Sequence, residues 1–173
     1  LGNEVPVTPV TFFKPNTAVI GPGDPIRLPA ISEYVSYEAE LAVVIGRVAK
    51  GVKAENANDC VLGYTASNDV TLRDLQKSDT SAPLGPWIET ELDVDDLGIR
   101  SWVDGDLKQD GTTADFIFDI PTIIEHLSET ITLLPGDVIL TGTPEGVGQI
   151  VSGNRVDIAI EGLGVLSNPV MDA

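Results

Sequence analysis

The sequence predicts a mainly β fold with a few short helices, and three features predict it. Leu41 to Ile45 is a short apolar run closed by Gly46, and Val156, Ile158 and Ile160 alternate with polar neighbours. Only one segment, Ile120 to Thr130, carries clear helical spacing. Short apolar or alternating runs bounded by glycine and proline read as strands, whereas a period near 3.6 residues reads as helix.

In chain order, "PVTFFKPNTAVIGPGDPIRLP" is broken by prolines and Gly-Pro-Gly, so it reads as short strands joined by turns. Tyr37 to Ile45 is the opening core strand. "KAENANDC" reads as a short helix with Ala57, Cys60 and Val61 on one side, passing into a strand near Leu62 to Ala66. Thr71 suits an N-cap with Asp74 three residues on, which predicts a short helix over Thr71 to Lys77. Asp104-Gly105 is a hairpin turn signal. In the clear helix Asp119 is the cap, Pro121 suits the first turn, and Ile120, Ile123, Ile124 and Leu127 share a face. "LLPGDVILTGTPEGVG" reads as turn, strand and glycine-rich loop, and "NRVDIAIEGLGVLSNPV" as a closing hairpin. With no internal repeat or linker, residues 1–173 read as a single domain.

Charge and composition narrow the function. Twenty-seven acidic side chains against ten basic ones give a net charge of −17, which repels nucleic acid and anionic lipid. No apolar run approaches the roughly 20 residues of a membrane helix, and no signal segment opens the chain. The lone Cys60 sits among apolar residues as an inert thiol and suits a reducing, cytoplasmic setting. The one histidine, His126, lies just off the apolar stripe of the clear helix and reads as an ordinary helix residue. A histidine-rich metal site and a Ser-His-Asp triad are therefore poor expectations.

The chemistry-bearing residues fall in three segments. In "SYEAELAVVIGR", Glu38 and Glu40 are two apart, so on a strand they share a face. Two like charges on a buried face need a proton or a cation, and carboxylate oxygens suit hard ions such as Mg²⁺ or Mn²⁺. Taken alone, the pair reads more simply as two exposed glutamates at a strand edge, because Glu-x-Glu is a cheap pattern. In "GYTASNDVTLRDLQ", Asp69 offers a third carboxylate, and Arg73 and Gln76 would share a face of the predicted helix. An arginine there suits a carboxylate or keto acid, although a surface pair with Asp69 or Asp74 also accounts for it. In "ILTGTPEGVG", backbone N–H groups could approach an anion and Thr143 adds a hydroxyl. The P-loop lysine and the dinucleotide glycine spacing are both missing, so nucleotide binding is not expected.

Together "YEAELAVVIGR", "GYTASNDVTLRDLQ", "APLGPWIET", "IFDIPTIIEHLSETITLLPGDVILTGTPEGVG" and "GLGVLSNPV" resemble, in order and along nearly the whole chain, the fumarylacetoacetate hydrolase family. The resemblance is closest to its 2-hydroxyhepta-2,4-diene-1,7-dioate isomerase, acylpyruvate hydrolase and oxaloacetate decarboxylase branch. It implies a mixed β-roll and sandwich, usually a homodimer, with Mg²⁺ or Mn²⁺ on Glu38, Glu40 and Asp69. It also implies substrate-orienting roles for Arg73, Gln76 and Thr143, while Lys14, in "FFKPNTA", falls in a recurrent family segment without an assigned role. The implied function is isomerisation of a 2-oxo or enol dicarboxylic acid through an enolate. C–C hydrolysis, oxaloacetate decarboxylation and a silent metal- or ligand-binding β domain are the alternatives. Two family features are not found: an upstream His/Glu lid, and a lysine before the segment matching "APLGPW". The expectation is that both belong to stretches outside this chain, the lysine at the Asp79–Thr80 junction. The acid and base groups are therefore unassigned.

Overall fold

The computed structural model describes residues 6–75 and 81–173. The first strands are short, as proline and glycine dictate: β1 (Val19–Ile20), β2 (Ile26–Leu28) and β3 (Val35–Tyr37). The core strands β4 (Ala39–Ile45) and β5 (Val61–Asn68) follow, then β6 (Thr71–Leu72) and β7 (Ala82–Glu89). Next come β8 (Gly98–Val103), β9 (Asp106–Thr112), the helix α1 (Ile120–Thr130) and β10 (Val138–Leu140). β11 (Gly148–Gln149), β12 (Arg155–Ile160) and β13 (Gly164–Asp172) complete the chain.

The strands form two five-stranded sheets, ordered β1-β7-β5-β4-β10 and β2-β13-β12-β8-β9, with a small sheet β11-β3-β6 beside them. β12 lies against β4 and β5, β13 against β5 and β7, and β8 against β4, so the large sheets pack face to face. This is the mixed β-roll and sandwich the sequence predicts. Every residue of β4 is buried. A strand covered on both faces explains why Leu41 to Ile45 reads as continuous rather than alternating apolar sequence. Leu41, Val43 and Ile45 join Ile99, Ile158, Ile160 and Leu166 in one core.

Local signals explain several elements. Asp104 and Gly105 both take positive φ (53° and 87°), as the twisted two-residue β8–β9 turn requires. Asp119 Oδ1 accepts from Thr122 N at 2.8 Å and starts α1, with Pro121 in the first turn. α1 buries Ile120, Ile123 and Ile124, while His126 is only half-buried. Cys60 is buried, in the 3₁₀ helix Ala54–Cys60.

Two expectations are corrected. The strand expected over Tyr37 to Ile45 breaks at Glu38, because β3 pairs with β6 and β11 whereas β4 pairs with β5 and β10. The helix expected from Thr71 does not start there: Thr71 and Leu72 form β6, paired to Ser36 and Val35. The Thr71 hydroxyl donates back to Asp69 O rather than capping a helix, and Asp74 instead accepts from Ser32 Oγ at 2.6 Å and Glu33 N at 2.7 Å. Pairing with β3 gives this backbone the partners that a helix would have supplied. Gln76, Lys77 and the Asp79–Thr80 junction lie outside the described residues.

Candidate metal centre

Glu38 occupies the break between β3 and β4, at the end of the β4–β5 ladder. Its N–H donates to Asn68 Oδ1 at 2.9 Å, and its carbonyl accepts from Asp69 N at 2.8 Å. That closure carries Asp69 to the side of Glu38, although 31 positions separate them in sequence. Glu40 follows in β4, opposite Ser67. Glu38, Glu40 and Asp69, at 9%, 3% and 5% exposure, each offer a carboxylate oxygen within 4.8 Å of the others. The period-2 spacing and the third carboxylate therefore meet at one point.

Such a cluster is electrostatically unstable by itself. Burial, opposed by Arg73 and reinforced by Asp69, pushes the Glu38 carboxyl up to about 7. Burial, and then the Asp69 charge, hold Glu40 well above the usual carboxylate range. Two cations offset part of the charge. Lys14 Nζ lies 2.7 Å from Asp69 Oδ1 and donates to Val70 O at 3.0 Å. Arg73 Nη2 lies 2.9 Å from Glu38 Oε1, without the alignment of a hydrogen bond, so that buried oxygen keeps no hydrogen-bond donor. Among the described residues, Lys14 and Arg73 are the cations seen to pair with the three carboxylates. The cluster offers oxygen donors alone, which suits a hard dication such as Mg²⁺ or Mn²⁺ rather than a thiolate- or imidazole-seeking metal.

The pH dependence follows with a definite sign. Between its ordinary value of 4.5 and about 7, Glu38 binds more proton in the folded chain than in the unfolded one. The stability of metal-free protein should therefore fall as pH rises through that window, with Glu40 extending the decline upward. Urea unfolding in chelator from about pH 5 to pH 8 measures this. Glu38→Gln should remove part of the slope, and an unchanged slope in that variant would contradict the assignment.

The glycine-rich segment after β10 forms the opposite wall. Gly142, at φ 101°, donates its N–H to Glu40 Oε2 at 2.7 Å. The sequence suggested that a backbone N–H here could approach an anion, and the anion it meets is a carboxylate of the protein itself. The Thr143 hydroxyl donates to Ala39 O at 3.0 Å and accepts from Gln109 Nε2 at 2.8 Å. Its single proton is spent on the backbone, which leaves the hydroxyl one unused lone pair. The loop lies tight on β9: a Cβ at Gly146, where φ is 99°, would fall 2.1 Å from Lys108 O. Gly146→Ala should cost about 1–3 kcal/mol for its backbone conformation alone, with the clash added. Urea denaturation checks this, and a neutral result would show that the loop is free to shift.

The structure thus brings together Glu38, Glu40, Asp69 and Arg73, with Thr143 on the adjoining loop. Gln76 falls outside the described residues. Neither His126, on α1, nor Cys60 joins the cluster. Sequence reasoning left Lys14 without a role and missed Asn68 and Gln109. Lys14 carried a hint in its apolar setting, Phe12-Phe13 before it and Pro15 after it. Gln109 carried none, since it sits in a polar hairpin strand that reads as solvated.

Comparison with known proteins identifies the family. The family model described as fumarylacetoacetate (FAA) hydrolase, C-terminal, matches residues 2–171. A solved 5-carboxymethyl-2-hydroxymuconate delta-isomerase from Mycobacterium smegmatis is 49% identical with a TM-score of 0.94, matching 100% of this chain and 73% of that one. A maleylpyruvate hydrolase from Sphingobium sp. SYK-6, solved with manganese(II) and pyruvate, is 41% identical at TM-score 0.89, over 94% of this chain and 64% of its own. An oxaloacetate tautomerase from Bacillus subtilis is 39% identical over 188 aligned positions, 96% of this chain and 62% of its own. Those 188 positions exceed the 173 residues here, so that relative carries residues inside the matched span that this chain lacks.

Proposed function

The chain belongs to the fumarylacetoacetate hydrolase family, and from that premise we propose that it is a divalent-metal-dependent enzyme of 2-oxo or enol carboxylic acids. The reaction assigned to it is proton transfer of the 2-hydroxyhepta-2,4-diene-1,7-dioate isomerase type. One observation carries the reading: three buried carboxylates from β4, its N-terminal break and the residue after β5 converge with oxygens within 4.8 Å of one another. Glu38, Glu40 and Asp69 would hold Mg²⁺ or Mn²⁺, which when bound supplies Lewis-acid stabilisation of negative charge on substrate oxygens.

The residues of the chain do the rest. Counting the described residues, a dication, three carboxylates, Lys14 and Arg73 sum to one positive charge, which suits an anionic acid. Arg73, about a third exposed at its side chain (35%), keeps part of its donor fork for a substrate carboxylate while one Nη remains on Glu38. Gln76 is assigned to substrate orientation beside it. Thr143 accepts a proton-bearing group on the opposite wall. The acid–base pair is assigned to the histidine and glutamate that the family pattern places upstream of this span. A cytoplasmic homodimer is part of the same reading, and no helix among the described residues is long and apolar enough to cross a membrane.

A second reading, C–C hydrolysis of an acylpyruvate-type substrate, is favoured by the manganese- and pyruvate-bound relative. A panel of the heptadienedioate, an acylpyruvate and oxaloacetate, with Mn²⁺ and with chelator, separates the readings. Metal-dependent isomerisation of the first supports the proposal. Cleavage of the second alone replaces it with the hydrolase, and metal binding without any turnover replaces it with a silent binding domain.

A further inference from the structure

The start of β4, which carries Glu40 and follows Glu38, is held on one side by something other than a strand. β10 pairs with β4 only as far as Leu140, opposite Ala42. The N–H and hydroxyl of Thr141 then both donate to Leu41 O, at 3.2 and 2.9 Å. Beyond that point the chain peels away, which lets Gly142 N reach the Glu40 carboxylate. The peeling opens a hole in the ladder at Ala39, the residue between the two glutamates.

Two side chains fill the hole. Ala39 N–H donates to Gln109 Oε1 at 3.0 Å, and Ala39 O accepts from Thr143 Oγ1 at 3.0 Å. Gln109 is 1% exposed, and its whole carboxamide is engaged. Oε1 also accepts from Ser101 Oγ at 2.9 Å, while Nε2 donates to Thr143 Oγ1 at 2.8 Å and to Pro144 O at 2.9 Å. Chemistry fixes the orientation: a backbone N–H only donates and a proline carbonyl only accepts, so the amide oxygen faces β4 and the nitrogen faces the loop. Every donor and both acceptor sites of the amide are used.

We propose that Gln109 is a positioning residue of the centre, tying the Glu38-Ala39-Glu40 backbone to the Gly142–Pro144 loop and so setting the spacing between metal ligands and substrate wall. The proposal rests on the metal-centre reading above. No other standard side chain of this length supplies two acceptor sites on one end and two donors on the other. A glutamate would face Pro144 O with a second acceptor, and a methionine would leave Ala39 N–H and Pro144 O unpaired in the interior. Groups that orient a metal's ligands typically change metal affinity or activity by about 10- to 100-fold when removed.

The test uses Mn²⁺ titration calorimetry on the wild-type chain, Gln109→Met and Gln109→Glu, with urea unfolding of each as the control for folding. Wild type should bind one Mn²⁺, and both variants should unfold cooperatively yet bind it about 10- to 100-fold more weakly. Gln109→Glu carries the test if Gln109→Met does not fold. A cycle with Thr143→Val adds a readout that general loosening would not move: Thr143→Val should weaken binding in wild type more than it does in the Gln109 variant. Affinities within a few-fold of wild type, or an additive cycle, overturn the positioning role and leave the metal centre standing. Failure of wild type itself to bind Mn²⁺ takes down both.

Discussion

Glu40→Gln should abolish metal-dependent turnover and weaken Mn²⁺ binding by more than the roughly 100-fold expected for an outer-sphere change, while leaving metal-free protein at least as stable as wild type above neutral pH. The two halves of this expectation have one cause. Glu40 is 3% exposed, and burial holds its carboxyl well above the ordinary range, so its charge is a burden on the fold without a cation beside it. Glutamine keeps the volume and, with its amide oxygen toward Gly142 N, keeps the 2.7 Å hydrogen bond. It removes only the charge that the metal needs. A residue retained for packing would behave oppositely, losing stability with function. Calorimetric titration with Mn²⁺ and urea unfolding in chelator measure the two halves. Retained metal affinity would sink the ligand assignment, and a large loss of metal-free stability would recast Glu40 as structural.

Lys14→Met should destabilise the metal-free chain by about 3–5 kcal/mol, the usual consequence of breaking a buried ion pair from one side. The Lys14 and Asp69 side chains are 10% and 6% exposed, with Nζ and Oδ1 2.7 Å apart. Without the ammonium, Arg73 on Glu38 is the other cation seen at the three carboxylates among the described residues. A dication restores what the substitution removes, so Mn²⁺ should raise the melting temperature of Lys14→Met by more than it raises that of wild type. By linkage the same variant binds Mn²⁺ more tightly, because Lys14 repels the ion that it partly replaces. Thermal unfolding with and without Mn²⁺ gives both quantities. An equal metal-induced shift in the two proteins would show that Lys14 and the metal do not act on the same charge.

What the sequence made legible was local. Glu38 and Glu40 announce themselves through the period of a strand, and the apolar run after them fixes which element carries them. Asp104-Gly105 and Asp119 likewise encode a turn and a cap within a few residues, and both stand where expected. The failures share a physical reason as well. The break at Glu38 arises because β3 and β4 take partners in different sheets, and strand pairing across dozens of residues leaves no local mark. Thr71 has the chemistry of a cap, but Val35 and Ser36 claim its backbone first. Gln109 looks like one polar residue in an exposed hairpin, while its partners Ala39, Thr143 and Pro144 are 34 to 70 positions away. Lys14 was visible as a cation beside two phenylalanines, yet the carboxylate that explains it lies 55 positions on. The tertiary hydrogen bonds of Gln109 and the ion pair of Lys14 were hidden, whereas the turn at Asp104-Gly105 and the cap at Asp119 were not.

The central claim is that Glu38, Glu40 and Asp69 share one divalent ion. Anomalous diffraction from a crystal soaked in Mn²⁺ tests it most directly. The account predicts one strong peak per chain among the three carboxylates, with oxygens from all three at about 2.1 Å, the bonding distance of a small hard dication. A centre without a peak, with manganese only on exposed carboxylates of the acidic surface, would contradict it.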